Sequence, residues 1–360
     1  MSASGPAAVI ILAAGKGIRM RSPTPKPLHS LSGRTMLGHC LATVATIRPE
    51  RLIVVVGHGG AQVSAQVREL APDAIIMTQT EQRGTAHAVR VALRDVGAVA
   101  GTVIVTYVDT PLVRSETLTE LARRREQLGA SVVVLTAIAP DPGTYGRIAR
   151  DSDGTFLGII EPPDCTQEQL MINEVNSGLY AFDGLLLSEV VKRISAHNAQ
   201  DEEYMTDAVA LLRDDGYLVS TLSCDDYAEI RGVNTPEQLA QAASIMNART
   251  VSALISSGVQ IADPASTWVD MTVRASPSAS IGPRTRIEGS TTIHAGVAIG
   301  PDCLIRDCLV ETSATITNST CEAAVIGGGA ILGPYVKLEP GSVIESNARI
   351  RGDLATYLRS

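Results

Sequence analysis

Aliphatic side chains recur every six residues in the C-terminal part of the chain, and this spacing allows few folds. Two runs keep this spacing: Ile281, Ile287, Ile293, Ile299 and Ile305, and then Ile326, Leu332, Leu338, Ile344 and Ile350. A hexapeptide period is typical of a parallel β-helix. Each hexad forms one short strand and a turn, and stacked coils bury the aliphatic column.

Glycine steps follow several of these aliphatic residues, as expected for tight corners. They are Gly282-Pro283, Gly300-Pro301, Gly327-Gly328 and Gly333-Pro334. Between the two runs, residues 306–325 leave the phase. Solenoids with this period resemble left-handed β-helices, which are an exception to the right-handed crossover rule. We therefore predict a short left-handed parallel β-helix domain over residues 261–360.

The chain before residue 235 has a different pattern, in which strand-like and helix-like segments alternate. The predicted strands are continuous apolar runs at 7–14, 51–57, 74–79, 102–108 and 131–138. Helical patterns lie between them, at 35–47 and 115–129 among others. Runs of this kind suit strands that are covered on both faces, and the alternation predicts an α/β domain with a mostly parallel, Rossmann-like sheet. We assign this domain to residues 1–235.

A long helix is predicted over 236–257, with Pro236 in its first turn and Gly258 after its end. Residues 236–260 would then link the two domains.

Composition excludes several classes of protein. The net charge of −8, the isoelectric point near 5.3 and an aromatic content of 3% argue against nucleic-acid binding. The six cysteines form no C-x-x-C pair, which indicates buried thiols in a reducing compartment. The apolar run at 7–14 is too short to cross a membrane and lacks the basic flank of a signal peptide. We expect a cytoplasmic protein without membrane attachment.

Residues 12–28, LAAGKGIRMRSPTPKPL, carry the clearest chemical signal. A strand ends in a loop with Gly15 and Gly17, and two cations follow at Arg19 and Lys26. Glycines let backbone N–H groups approach a polyphosphate, and the cations can neutralise its charge. No Gly-Lys-Ser/Thr follows, so this is not a Walker loop.

Taken together, the motifs resemble a known enzyme family. The matching blocks are LAAGKGIRM with Pro25-Lys26, QTEQRGTAHAV (79–89), TYVDTPL (106–112), TYGRI (144–148), EPPD (161–164), NEVNSGLYAFD (173–183), NAQDEEYMTDAV (198–209) and RGVNT (231–235). In order and spacing they resemble the bifunctional N-acetylglucosamine-1-phosphate uridylyltransferase and glucosamine-1-phosphate acetyltransferase family, within the sugar-phosphate nucleotidylyltransferases. The resemblance covers about residues 7 to 340.

The resemblance implies a metal-dependent transfer of a nucleotide from an NTP to a sugar-1-phosphate, with pyrophosphate leaving. UTP and N-acetylglucosamine-1-phosphate are the substrates it favours. Such chemistry depends on positioning and charge neutralisation. By resemblance, Arg19 and Lys26 are catalytic, and Asp109 and Asn234 hold Mg2+.

The same comparison implies two sets of binding residues. The nucleotide-binding set is Leu12, Ala14, Gly15, Gln79, Gly84, Thr85 and Tyr107. The sugar-binding set is Gly146, Glu161 and Asn176. An amide such as Gln79 both donates and accepts hydrogen bonds, which suits the edge of uracil.

Three departures from the family pattern bear on the substrate. Ile18 replaces a small hydroxylic residue, Val108 replaces a glycine, and Pro162-Pro163 replaces a Gln-Lys pair. We expect Val108 to narrow the space beside Asp109, and the proline pair to remove two backbone donors and one cation. These changes keep open an alternative, the same reaction on another hexose or cyclitol phosphate with another NTP.

The second half resembles the family's acetyltransferase half only in part. Glu339 stands where the family has an arginine of the acetyl-transfer site, and His294 is the only histidine in the repeats. The family's later catalytic positions have no counterpart in this sequence. We expect a truncated form without acetyltransferase activity and with a homo-oligomeric, preferably trimeric, assembly. Less favoured alternatives are an acyltransferase and a catalytically silent paralogue.

Overall fold

The computed structural model describes residues 5–196 and 202–352, and it separates into two compact units. Of the described residues, one unit contains 5–29, 35–196 and 202–239, and the other contains 30–34 and 240–352. The first is an α/β unit with a mostly parallel sheet, and the second is built from three small parallel sheets. Both predicted fold classes are thus confirmed.

The elements up to residue 256 are one extended sheet, a short strand pair, eight helices and four 3-10 turns among the described residues. The strands are β1 (Ala8–Ala13), β2 (Ser30–Leu31), β3 (Arg34–Thr35), β4 (Leu52–Val56), β5 (Ile75–Thr78), β6 (Thr102–Tyr107), β7 (Val132–Ile138), β8 (Arg147–Arg150), β9 (Phe156–Ile160), β10 (Glu174–Asp183) and β11 (Val219–Cys224). The helices are α1 (Met36–Thr46), α2 (Gly60–Leu70), α3 (Thr85–Val96), α4 (Ser115–Leu128), α5 (Gln167–Leu170), α6 (Gly184–Val190), α7 (Met205–Asp214) and α8 (Pro236–Ser256). Single 3-10 turns lie at Ile18–Met20, Lys26–Leu28, Pro162–Asp164 and Tyr227–Ile230.

The main sheet has the order β11-β7-β10-β6-β1-β4-β5, with β8 on β10 and β9 on β8. Strand β1 lies between β4 and β6, parallel to both, and every residue of β1 is buried. Apolar clusters on the two faces of the sheet cover it, which explains the continuous apolar run at 7–14. Strand β10 runs antiparallel between β6 and β7.

The second unit contains short strands that return to the same three sheets in turn. In chain order they are β12 (Gln260–Ile261), β13 (Trp268–Val269), β14 (Arg274–Ala275), β15 (Ser280–Ile281), β16 (Arg286–Glu288), β17 (Thr292–Ile293), β18 (Ala298–Ile299), β19 (Leu304–Arg306), β20 (Leu309–Val310), β21 (Thr315–Ile316), β22 (Thr320–Glu322), β23 (Val325–Ile326), β24 (Ile331–Leu332), β25 (Lys337–Leu338), β26 (Val343–Ile344) and β27 (Arg349–Ile350). Every third strand pairs in parallel, which is the arrangement of a left-handed β-helix.

The break in phase at 306–325 does not interrupt this solenoid. The aliphatic column continues through Val310, Ile316 and Cys321, all of which are buried. Three of the four steps from Ile305 to Ile326 are five residues long instead of six, so the corners are shorter while the strands stay in register.

The cysteines are all free thiols. Five of them are buried, as the sequence predicts, and burial raises their pKa values, to about 12 for Cys40 and for Cys321. Cys165 is the exception, since it is only half-buried.

Candidate active site

The candidate site lies at the carboxyl ends of two neighbouring parallel strands. Leu12 of β1 is in register with Tyr107 of β6, so the segments that follow these strands leave the sheet side by side. From β1 the sheet extends to β4 on one side and to β6 on the other. This is a topological switch point, where open α/β sheets bind their ligands. The glycine loop and Asp109 therefore lie at the same crevice.

Lys26 joins the two residues that the sequence assigns to the metal. Its Nζ atom lies 2.5 Å from Oδ2 of Asp109 and 2.7 Å from Oδ1 of Asn234. The lysine side chain is only 9% exposed. The backbone supports this contact, because the Val233 amide donates to the Asp109 carbonyl at 2.7 Å. Three segments distant in sequence thus converge on one ammonium group.

The oxygen atoms around that ammonium group suit a divalent metal. Asp109 and Asn234 offer one carboxylate and one amide oxygen to the same point. Mg2+ prefers oxygen ligands and commonly takes only one or two from the protein, with water and substrate phosphates completing the shell. Within residues 5–196 and 202–352, no cluster of three or more His, Cys, Asp or Glu side chains offers an alternative metal site. The residues present therefore fit magnesium.

The glycine loop packs directly on Lys26. Gly17 has a φ of +63°, and a Cβ atom built there would lie 2.7 Å from Cβ of Lys26. Gly15 differs, because a Cβ atom there would meet nothing within 4 Å. Position 17 requires glycine because of its backbone angle and its close contact with Lys26. The open space around Gly15 instead leaves room for a ligand to approach the backbone. Arg19 is exposed on the 3-10 turn, and the structure shows no hydrogen bond or ion pair from it to the described site residues Lys26, Asp109 and Asn234.

Replacing Gly17 by alanine tests the link between this loop and Lys26. Gly129 is a matched control, with φ +59° and ψ +28° against +63° and +28° at Gly17, and with open space around it. We expect both alanine variants to lose about 1 kcal/mol of unfolding free energy from the left-handed backbone, and Gly17→Ala to lose more because its new Cβ atom overlaps Cβ of Lys26. Only Gly17→Ala is expected to lower turnover, by about tenfold or more, because it displaces Lys26. Equal turnover in both variants, in a pyrophosphate-release assay, would refute the coupling.

Side-chain hydrogen bonds connect several of the predicted nucleotide-binding residues. Gln79 is buried; its Nε2 atom donates to the Gly84 carbonyl at 3.1 Å and lies 3.0 Å from Nδ1 of His87. Thr85 accepts from the Met205 amide at 3.0 Å and shares a hydrogen bond with Tyr107. Burial raises the pKa of Tyr107, so its phenol stays protonated at neutral pH.

The first strand contributes through its carbonyl groups. Leu12 and Ala14 are buried. The Leu12 carbonyl accepts from the Val108 amide at 3.1 Å, and the Ala14 carbonyl accepts from Nε2 of Gln82 at 2.5 Å. Gln82 was not predicted as a site residue, although it lies inside the QTEQRGTAHAV block.

Glu203 is a second residue that the sequence analysis missed. Its side chain is 1% exposed and forms ion pairs with Arg83 and Arg90. Its backbone donates to Arg83 and accepts from Ala86. Glu203 therefore fixes the start of α3, where Gly84 and Thr85 lie. The only sequence signal was its position within the NAQDEEYMTDAV block.

The three predicted sugar-binding residues also lie together. The Asn176 amide N–H donates to the Gly146 carbonyl at 2.8 Å. Oε1 of Glu161 would lie 3.3 Å from a Cβ atom built on Gly146. The Asn176 side chain is buried; it donates to the Tyr180 hydroxyl and accepts from the Gly178 amide, each at 3.0 Å. Both ends of this amide are thus engaged within β10.

Glu161 lies in an acidic environment. Burial raises the pKa of this carboxyl group, and Asp207 and Asp164 raise it further, while a hydrogen bond with Thr206 and the positive charge of Arg147 oppose the change. Burial also raises the pKa of Asp207. Among the described residues, no basic side chain forms an ion pair with Glu161, Asp164 or Asp207.

Replacing Glu161 by glutamine should stabilise the fold at neutral pH. The folded-state pKa is raised, so ionisation of Glu161 disfavours folding as pH rises from the unfolded pKa through the folded one. Below the unfolded value both states hold the proton and this effect disappears. We expect Glu161→Gln to raise Tm by about 1–3 °C at pH 7 and by less at about pH 4. The exposed Glu168→Gln serves as control, and an unchanged or lower Tm at pH 7 would contradict the account.

The family departures at 108 and 162–163 now have structural explanations. Val108 is 4% exposed and belongs to an apolar core cluster. The expectation that it narrows the space beside Asp109 is therefore not supported. Pro162 and Pro163 open the 3-10 turn Pro162–Asp164, directly after Glu161. Proline suits the first positions of a helical turn because their N–H groups lack partners there, so the turn loses no hydrogen bond of its own.

Comparison with known proteins finds relatives over most of the chain. The profile of the MobA-like NTP transferase domain matches residues 9–150. The "Bifunctional protein GlmU" of Thermobifida fusca is 49% identical over 331 residues, which cover 91% of this chain and 68% of that protein. The proteins of the same name from Streptomyces avermitilis and Mycobacterium bovis are 42% and 41% identical, over 97% of this chain and 73% and 72% of theirs.

The chain belongs to the bifunctional GlmU family. Its first unit thus contains a nucleotidyltransferase domain, and the crevice at β1 and β6 lies within the matched segment. In the ranges 5–196 and 202–352, no helix combines the length and the apolar character needed to cross a membrane. The GlmU match extends over both units, including the coils of the β-helix.

Proposed function

We propose that this protein is a sugar-1-phosphate nucleotidylyltransferase that transfers UMP from UTP to a hexose-1-phosphate such as N-acetylglucosamine-1-phosphate. The observation that carries this proposal is the convergence of Lys26, Asp109 and Asn234 beside the glycine loop. A carboxylate, an amide oxygen and a cation that meet at the crevice beside β1 and β6 suit the binding of a triphosphate with its metal. The membership of the GlmU family supports the same reaction.

In the proposed reaction, an oxygen of the sugar phosphate attacks the α-phosphorus of UTP. A new P–O bond forms there, the bond from the α-phosphorus to the bridging oxygen breaks, and pyrophosphate leaves with that oxygen and its electron pair. Lys26 and Arg19 would neutralise the phosphates as charge moves to the leaving group. Mg2+, held by Asp109 and Asn234, would supply further charge neutralisation. No covalent intermediate with the enzyme is required.

The nucleotide and the sugar would occupy opposite ends of the crevice. Gln79 and the start of α3, at Gly84 and Thr85, would bind the base, next to Tyr107. Leu12, Ala14 and Gly15 would line the path of the nucleotide along the end of β1. Gly146, Glu161 and Asn176 would bind the sugar, for which a carboxylate and an amide are suitable hydrogen-bond partners.

The acidic sugar end favours one variation on this function. Glu161 has two carboxylate neighbours, Asp164 and Asp207, that raise its pKa. This charge pattern suits a hexose or cyclitol phosphate that carries a free amine, since a cation would relieve the repulsion. The second candidate is therefore the same reaction on such an acceptor, with UTP or another NTP.

A pyrophosphate-release screen tests both candidates. The four common NTPs would be crossed with N-acetylglucosamine-1-phosphate, glucosamine-1-phosphate, glucose-1-phosphate and an aminocyclitol phosphate. We expect the highest kcat/KM with UTP and N-acetylglucosamine-1-phosphate. A clear preference for an amine-bearing acceptor would select the second candidate. Pyrophosphate release with none of the pairs would contradict both.

We further propose that the described coils of the β-helix do not perform acetyl transfer by themselves and serve assembly instead. Glu339, which replaces an arginine of the related acetyl-transfer site, lies exposed with its Oε1 atom 3.5 Å from Nζ of Lys337. An anion there would repel a phosphorylated substrate. A homotrimer is the preferred assembly, and the reduced cysteines suit a cytoplasmic protein. Turnover of acetyl-CoA with glucosamine-1-phosphate would contradict the proposed lack of acetyl transfer. Sedimentation of the protein as a monomer or dimer would contradict the proposed trimer.

A further inference from the structure

Lys26 occupies the position that the proposed function assigns to a metal. Its ammonium group contacts the same two oxygen atoms, Oδ2 of Asp109 and Oδ1 of Asn234, that would bind Mg2+. At 9% exposure, the side chain is withdrawn from solvent. Both contacts are short and charge-assisted, since the donor is an ammonium group, and the contact with Asp109 joins two opposite charges.

An ammonium group and a divalent cation cannot both be held closely by this pair of oxygens. Two positive charges a few ångströms apart repel strongly in a partly buried site. Either the lysine or the metal must therefore contact Asp109 and Asn234. A second set of anions is needed to receive whichever cation is displaced, and the phosphates of a nucleotide would provide it.

We propose that Lys26 is a resident placeholder cation, which keeps free divalent metal out of the site until a nucleotide triphosphate binds. The inference rests on the proposed function, because it uses the same metal ligands. When a triphosphate enters along the glycine loop, Lys26 moves from Asp109 and Asn234 to the phosphates. The two oxygens then become available, so metal and nucleotide bind together and the metal alone binds weakly.

The packing of Lys26 explains how such an exchange can be local. Its stem lies against Gly17, where only glycine fits, as the 2.7 Å approach shows. The backbones of Asp109 and Asn234 have hydrogen bonds that do not involve Lys26: the Asp109 carbonyl accepts from the Val233 amide, and the Asn234 backbone amide donates to Oε1 of Gln238, each at 2.7 Å. The main-chain positions of both residues are therefore held independently of the lysine.

Binding of Mn2+ without nucleotide tests the inference without an activity assay. Free Mn2+ would be measured by electron paramagnetic resonance in titrations of the full chain. Lys26→Met keeps an apolar stem but removes the charge, and Lys16→Met, an exposed lysine of the same loop, is the matched control. We expect Lys26→Met to bind Mn2+ about tenfold more tightly than the wild type and the control. Adding Asp109→Asn to Lys26→Met should abolish this gain, and circular dichroism would verify that each variant is folded.

A second arm repeats the titration of the wild type with UTP and no acceptor, with a parallel titration of UTP alone to subtract its own Mn2+ binding. We expect the wild type to bind Mn2+ tightly only when UTP is present. The inference is overturned if Lys26→Met binds Mn2+ no more tightly than the wild type, or if the wild type binds it equally well without UTP. Failure of the proposed function would show separately, as absent pyrophosphate release alongside an intact Mn2+ gain in Lys26→Met.

Discussion

Replacing Asp109 by asparagine is expected to lower the rate of nucleotidyl transfer by about a thousandfold. The substitution removes the carboxylate that contacts Lys26 at 2.5 Å and that would carry most of the metal's charge compensation. It also leaves a nearly buried ammonium group with the neutral Asn234 as its partner, and uncompensated buried charge is costly. Steady-state pyrophosphate release at saturating Mg2+ is the measurement.

Asp95→Asn provides the matched control, because Asp95 is an exposed aspartate whose partner is the exposed Arg94. Exposed pairs of this kind contribute little, so the control should keep wild-type turnover. Thermal denaturation would separate loss of chemistry from loss of fold. Turnover of a folded Asp109→Asn protein within about threefold of the wild type would refute the role of this residue.

The second large expected effect is a loss of protein stability when Gly84 is replaced by alanine. Gly84 precedes α3 with a φ of +116°, and a Cβ atom there would lie 2.3 Å from the carbonyl oxygen of Glu203. The contact is with backbone, so no side chain can rotate away. We expect Gly84→Ala to lose more than about 3 kcal/mol of unfolding free energy in urea denaturation, from strain and from overlap together.

Gly97, at the other end of α3, allows the cost of backbone strain to be separated from the cost of steric overlap. It too has positive φ with extended ψ, at +77° and −173° against +116° and +179° at Gly84, but a Cβ atom there meets nothing within 4 Å. Gly97→Ala should therefore show the strain alone, about 1–3 kcal/mol. Equal losses in the two variants would mean that the approach of Glu203 does not constrain Gly84.

The spacing of apolar residues predicted much of the fold, because the buried faces of strands and coils directly determine that spacing. The apolar run at 7–14 became the central strand β1, and the hexads became the column of the β-helix. The antiparallel strand β10 was not placed, since pairing partners depend on contacts distant in sequence. The apparent break at 306–325 misled because five-residue steps keep strand register while shifting the sequence phase.

Site residues that belong to sequence motifs could be predicted, whereas residues whose roles depend on tertiary packing could not. Lys26, Asp109 and Asn234 come from three separate blocks, yet the structure brings them within hydrogen-bond distance. Glu203 escaped notice because its role depends on contacts with Arg83 and Arg90, more than a hundred residues away in sequence. The direction of the Val108 side chain, into the core, likewise cannot be read from its neighbours.

We propose that the crevice at β1 and β6 performs a metal-dependent nucleotidyl transfer. Phosphorus NMR of the full chain with UTP, N-acetylglucosamine-1-phosphate and Mg2+ would detect this transfer, with an EDTA-treated sample in parallel. We expect UDP-N-acetylglucosamine and pyrophosphate to appear in equal amounts, and only with the metal. Pyrophosphate formed at the same rate in EDTA would refute the metal dependence, and an unchanged UTP spectrum with Mg2+ would refute transfer to this acceptor.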